Sequence, residues 1–74
     1  MDTQFLYTFV NVVDRGSMAA AARFLNITPA AVAQQIRTLE RELGVPLVTR
    51  AGRTVTVTEE GARILDRVRA LLRD

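Results

Sequence analysis

The spacing of apolar residues divides the chain into five segments. Over residues 3–14, Phe5, Phe9 and Val12 recur at i, i+4 and i+7, with Leu6 and Val13 beside them, which predicts an amphipathic helix. Gly16 ends it, and Ser17 is a good N-cap for a short second helix over 18–25, rich in alanine. Its small side chains are strong helix formers and leave room for close packing. Asn26-Ile27-Thr28 reads as a tight turn, with Asn able to take the left-handed conformation. Thr28 then caps a third helix with Pro29 at its first position, where the missing N–H costs nothing. That helix runs to Leu43 and stops at Gly44; Val32, Ile36, Leu39 and Leu43 form one stripe. The period changes to two over residues 47–50 and 54–57, which predicts a hairpin turning at Ala51-Gly52. Thr58, Glu59 and Glu60 then open a last helix that runs to the end.

Composition narrows the function. At 74 residues the chain is one small domain. It contains no cysteine and no histidine, so disulfides, thiolate metal sites and the commonest general base are all missing. Ser17 is the single serine and has no histidine to activate it. An enzyme is therefore a distant reading, and no cofactor is implied. Glu40, Glu42, Glu59 and Glu60 have the spacing of ordinary helix surfaces, not of a metal site. No apolar run reaches the roughly 18 residues of a membrane span, and no signal peptide opens the chain, so a cytoplasmic protein is expected.

The net charge is +2, and all ten basic residues are arginines. Arginine suits phosphate and guanine, although a GC-rich genome gives the same bias, so placement matters more than number. The third helix sets Ala30, Ala33, Gln34 and Arg37 away from its core stripe. Short side chains let a helix approach base edges, and glutamine or arginine reach further. Arg50 and Arg53 flank the hairpin tip, within reach of phosphate or a minor groove. On the last helix Leu65, Val68 and Leu72 form a row with Ile64 and Leu71 beside it, while Arg63, Arg67 and Asp74 face away. That stripe is wider than one neighbour needs, which predicts a second partner.

The fold class is thus mainly α: a winged helix-turn-helix, with a three-helix core and a two-stranded wing, followed by a C-terminal linker helix. The motifs go further. Gly16-Ser17, Ala21-Ala22, Leu25-Asn26-Ile27-Thr28, Ala31-Val32, Gln35-Ile36-Arg37, Leu39-Glu40, Glu42-Leu43-Gly44, Leu47, Arg50 and Thr58-Glu59-Glu60-Gly61 together resemble the LysR-type transcription regulators. The resemblance covers nearly the whole chain in one register without gaps. It departs from the family's frequent Ser-Gln-Pro-Ala at Thr28-Pro29-Ala30-Ala31, from its serine at Ala33, and from Phe-Glu at Val48-Thr49. The first two departures bear on which operator is read, not on whether DNA is bound.

The resemblance implies a sequence-specific DNA-binding regulator. It implies a DNA-binding domain over residues 1–58 and the start of a linker and dimerisation helix over 59–74. DNA contacts are expected at Thr28, Pro29, Ala30, Ala33, Gln34, Arg37, Arg50 and Arg53. A homodimer is expected through Ile64, Leu65, Val68, Leu71 and Leu72, with a tetramer open for the full-length protein. The family's effector-binding domain has no counterpart here, so the chain reads as a fragment, and a small-molecule effector belongs to the missing domain. The partner is a double-stranded DNA operator, met on the bacterial nucleoid. The competing class is a protein-interaction module, since winged helices also bind proteins through the same surfaces. Binding to duplex DNA that falls steeply with salt separates the two.

Overall fold

A computed structural model describes residues 2–73. The order is α1 (Thr3–Arg15), α2 (Met18–Leu25), α3 (Pro29–Leu43), β1 (Val48–Ala51), β2 (Thr54–Val57) and α4 (Glu59–Arg73). Side chains cap each of the first three helices, Ser17 and Thr28 as the sequence predicts and Asp2 in addition. Asp2 accepts from the Gln4 amide at 2.8 Å, Ser17 from Ala20 at 3.1 Å and Thr28 from Ala31 at 3.0 Å. Each satisfies one of the orphan N–H groups of a first turn. The corner between α2 and α3 is closed by Asn26 at φ 60°, and the amides of Asn26 and Ile27 both reach the Ala22 carbonyl. Asn is tolerated in this left-handed region, where β-branched residues are not.

Phe9 and Val12 of α1, Ala21 and Ala22 of α2, and Val32, Ile36 and Leu39 of α3 meet in one core. The alanines are buried to 0% and 2% exposure, so the helices approach closely there. Leu47, Val55 and Leu65 extend this core to the wing and to α4.

The wing is an antiparallel pair, Val48↔Val57, Thr49↔Thr56, Arg50↔Val55 and Ala51↔Thr54. Its turn is Gly52-Arg53, one residue later than the sequence predicts, and β1 begins at Val48 rather than Leu47. The reason is tertiary. The Leu47 amide donates to a Glu40 carboxylate oxygen at 2.8 Å, and the Leu47 carbonyl accepts from Thr58 N at 3.0 Å. Leu47 is thus held by α3 and by the start of α4 instead of by β2.

The wing is anchored twice. Val55 N donates to the Gly16 carbonyl at 3.0 Å, tying β2 to the α1–α2 turn. Thr58 Oγ1 donates to the Pro46 carbonyl at 2.6 Å and accepts from Gly61 N at 2.9 Å, so one hydroxyl caps α4 and closes the base of the wing. Gly61 is needed there for space. A Cβ at this position would stand 2.2 Å from the Leu47 carbonyl oxygen.

α4 lies on α1. Leu65 and Val68, expected to face a second subunit, are only 7% and 3% exposed, buried within their own chain. This corrects the sequence reading of those two residues. The middle of the apolar stripe is consumed by the domain's own core, because α1 crosses beneath it. Asp14 at the end of α1 pairs with Arg69 at 2.5 Å across the exposed edge of the crossing. That carboxylate holds the Arg69 guanidinium above its ordinary pKa, by hydrogen bond first and by charge after it. Asp74, expected to face away, lies outside the described residues.

Candidate nucleic-acid interface

The outer face of α3 carries the residues singled out in the sequence. Thr28, Pro29, Ala30, Gln34 and Arg37 are exposed, and Ala33 is half-buried. They share a face because the other side of the helix is occupied by Val32, Ile36 and Leu39, all at or below 1% exposure. Early positions are short, so the first turns present a low surface with Gln34 and Arg37 rising from it. Further along, Thr38 Oγ1 donates to the Gln34 carbonyl at 3.0 Å and accepts from Arg41 Nη2 at 3.2 Å, which steers Arg41 along the helix. Arg37, Glu40 and Arg41 border a shallow hollow with Gly44, Val45 and Pro46. One Glu40 carboxylate oxygen accepts from the amides of Leu47 and Val48, at 2.8 and 3.4 Å. That oxygen is thus engaged at the wing's root, and among the described residues Glu40 forms no ion pair with either arginine.

The wing contributes the second element. Arg53 is exposed at the turn. Arg50 is exposed too, but it stands opposite Val55 and so shares that residue's sheet face. Arg50, Arg53, Gly52 and Thr54 line a groove whose other wall is Ser17, Met18 and Ala19, the first turn of α2. The sequence reading gave Ser17 only a capping role. Its nearness to both wing arginines follows from the Val55–Gly16 hydrogen bond, which no local pattern foretells. The N-terminal turn of α2 and two arginines thus line one groove, an arrangement that favours an anion. Among the described residues, Arg37, Arg50 and Arg53 form no ion pair.

The five residues expected at a subunit interface separate. Leu65 and Val68 are in the core. Leu72, 40% exposed, borders a groove with Tyr7, Val10, Arg69 and Arg73. Ile64 lies on the other flank of α4, in a groove with Leu43, Val45, Glu60, Arg63 and Arg67. Leu71 is 68% exposed. What α4 leaves uncovered is its C-terminal end together with Tyr7. No helix among the described residues is long and apolar enough to cross a membrane.

Comparison with known proteins agrees with this geometry. The family model for bacterial regulatory helix-turn-helix proteins of the lysR family matches residues 3–62. The chain is 50% identical over 58 residues to the AhcY transcriptional activator HvrB of Rhodobacter capsulatus, covering 78% of this chain and 20% of that protein. It is 42% identical over 73 residues to the nitrogen assimilation regulatory protein nac of Escherichia coli, covering 99% of this chain and 24% of the relative. The chain therefore spans about a fifth to a quarter of these curated relatives. Among solved structures, the CbnR DNA-binding domain in complex with DNA superposes with a TM-score of 0.94 at 34% identity. That match covers 99% of this chain and 84% of the other.

Proposed function

The chain belongs to the lysR family of bacterial regulatory helix-turn-helix proteins, and from that premise we propose how this DNA-binding transcription-regulator domain reads its operator. Like its relatives it is a regulator and not an enzyme. The N-terminal turns of α3 enter the major groove. Pro29 and Ala30 have no side-chain donor and give apolar contact, for example with a thymine methyl. Ala33 lacks the hydroxyl that a serine would bring. Gln34 is then the polar base reader, since its amide can pair with both N6 and N7 of adenine. Arg37, one turn later, anchors a phosphate, and Thr28 caps the helix at the groove's edge. Arg53 reaches the backbone or the minor groove, while Arg50 and the first turn of α2 take a neighbouring phosphate.

The observation that carries this reading is the exposed Gln34–Arg37 face rising from a floor of alanine and proline, with Arg50 and Arg53 exposed on the wing and, among the described residues, free of ion pairs. Residues 1–58 form the reading head in this proposal, and α4 begins the link to the rest of the protein. A homodimer forms through the uncovered end of α4, Leu71 and Leu72 with Tyr7, and Ile64 at its flank. Tetramers and effector binding belong to the whole regulator, which acts in the cytoplasm on nucleoid DNA.

Binding of Gln34→Ala to duplexes carrying each of the four bases at every half-site position tests the reading. Loss of preference at one base pair is expected, at a cost of roughly 1–3 kcal/mol on the favoured operator, whereas Arg37→Ala weakens all sequences alike. A uniform loss, or none, at every position for Gln34→Ala rejects it as a base reader.

A further inference from the structure

Two residue pairs join different elements by side-chain to side-chain hydrogen bonds among the described residues. One is the exposed Asp14–Arg69 pair. The other is internal: the Thr8 hydroxyl stands 2.6 Å from Gln35 Oε1 and 3.1 Å from the Gln4 carbonyl, linking α1 to α3. Thr8 is fully buried at 0% exposure, and Gln35 is half-buried at the margin of the α3 core face. We propose that Gln35 is a positioning residue for base reading: its bond to Thr8 fixes the rotation of α3 about its own axis, and so the angle at which Gln34 and Arg37 meet the DNA. This rests on the proposal that α3 is the reading helix.

The physical case is one of directionality. Phe9 and Val12 meet Val32, Ile36 and Leu39 through apolar contact, which holds the two helices together but is non-directional. Alanine at positions 31 and 33 offers no bulky knob beside the core stripe to resist a small rotation. A hydrogen bond of 2.6 Å is narrow in both distance and angle, and it lies off the apolar stripe, where it has leverage. The tip of a side chain stands about 6 Å from the helix axis, so a rotation of roughly 10° displaces it by about 1 Å. Bidentate pairing with a base edge does not survive such a displacement, whereas a phosphate contact from a long arginine does. Losing the Thr8–Gln35 bond should therefore blunt discrimination and spare general DNA affinity.

The test uses the 74-residue chain as wild type, Thr8→Val and Thr8→Ser. Valine keeps the shape of the buried side chain without the hydroxyl, and serine keeps the hydroxyl without the methyl. A random-sequence duplex pool is first selected on the wild type to give a favoured duplex. The favoured and a scrambled duplex are then titrated against all three proteins, with thermal midpoints and the Gln35 side-chain amide resonances recorded alongside. Thr8→Val is expected to shift those resonances and lower the ratio of favoured to scrambled affinity by about two- to tenfold, the range of one net hydrogen bond. Affinity for scrambled DNA stays put, and Thr8→Ser restores the wild-type ratio. A Thr8→Val protein with an unchanged ratio, or one that loses affinity equally for both duplexes, overturns the inference. If the wild-type selection yields no favoured duplex at all, the reading of α3 fails and the inference falls with it. The wild-type selection alone thus separates the two failures.

Discussion

Replacing Gly61 by alanine sets two physical effects against each other. Gly61 is in the first turn of α4, where alanine is the better helix former by about 1 kcal/mol. Propensity alone therefore predicts a stabler protein. The structure predicts the opposite. The new Cβ would lie 2.2 Å from the Leu47 carbonyl oxygen and 2.8 Å from Val57 Cγ2, where contacts under 3.0 Å are essentially never seen. Relief requires about 0.8 Å of movement (3.0 minus 2.2) against backbone, which cannot swing away as a side-chain end can. The same carbonyl accepts from Thr58 N at 3.0 Å, so pushing α4 outward strains the bond that closes the wing's root. Overpacking costs about 1–3 kcal/mol and the weakened bond about 1 kcal/mol. Subtracting the propensity gain of about 1 leaves a net loss of roughly 1–3 kcal/mol. At about 4–8 °C per kcal/mol for a domain this size, the thermal midpoint should fall by roughly 5–20 °C. Far-UV circular dichroism melts of Gly61→Ala and wild type read this directly. Ala70→Gly, on the exposed face of the same helix, reports propensity alone. A Gly61→Ala protein that melts at or above the wild-type temperature would refute the reasoning.

The wing and α4 give three further expected outcomes. Arg53→Ala should lower affinity across many duplex sequences and reduce the slope of log affinity against log salt by about one unit, as loss of one phosphate contact requires; an unchanged slope and affinity make Arg53 a solvated surface residue. Leu65→Arg should unfold the domain by placing an unpaired charge in the core. Leu71→Arg and Leu72→Arg should melt close to wild type and abolish self-association in sedimentation. A Leu65→Arg protein that melts normally removes the basis for α4 packing on α1. A wild-type chain that stays monomeric at high concentration and on operator DNA rejects the proposed dimer.

The sequence alone determined whatever is decided within a few residues. Helix periodicity placed all four helices, and Ser17, Thr28, Asn26 and Gly44 marked their ends, because caps and left-handed corners are satisfied locally. The outward face of α3 was legible for the same reason: once Val32, Ile36 and Leu39 are inward, Gln34 and Arg37 have to be outward. Periodicity, however, reports that a face is apolar and not what covers it. The stripe from Ile64 to Leu72 reads as one surface in sequence. Only the crossing of α1 decided that Leu65 and Val68 close the domain's own core while Leu71 and Leu72 are left outside. The first strand starts one residue later than its alternation predicts because Glu40, seven positions away, and Thr58, eleven away, claim the two polar groups of Leu47. Gly61 looks like a helix weakness until the Leu47 carbonyl is seen against it, and Gln35 looks like surface until Thr8, 27 residues earlier, is found bonded to it. Each of these turns on a directional or steric contact between segments distant in the chain. Such contacts leave no repeat in the sequence, because each is made once, by one pair of residues that only the packed helices bring together.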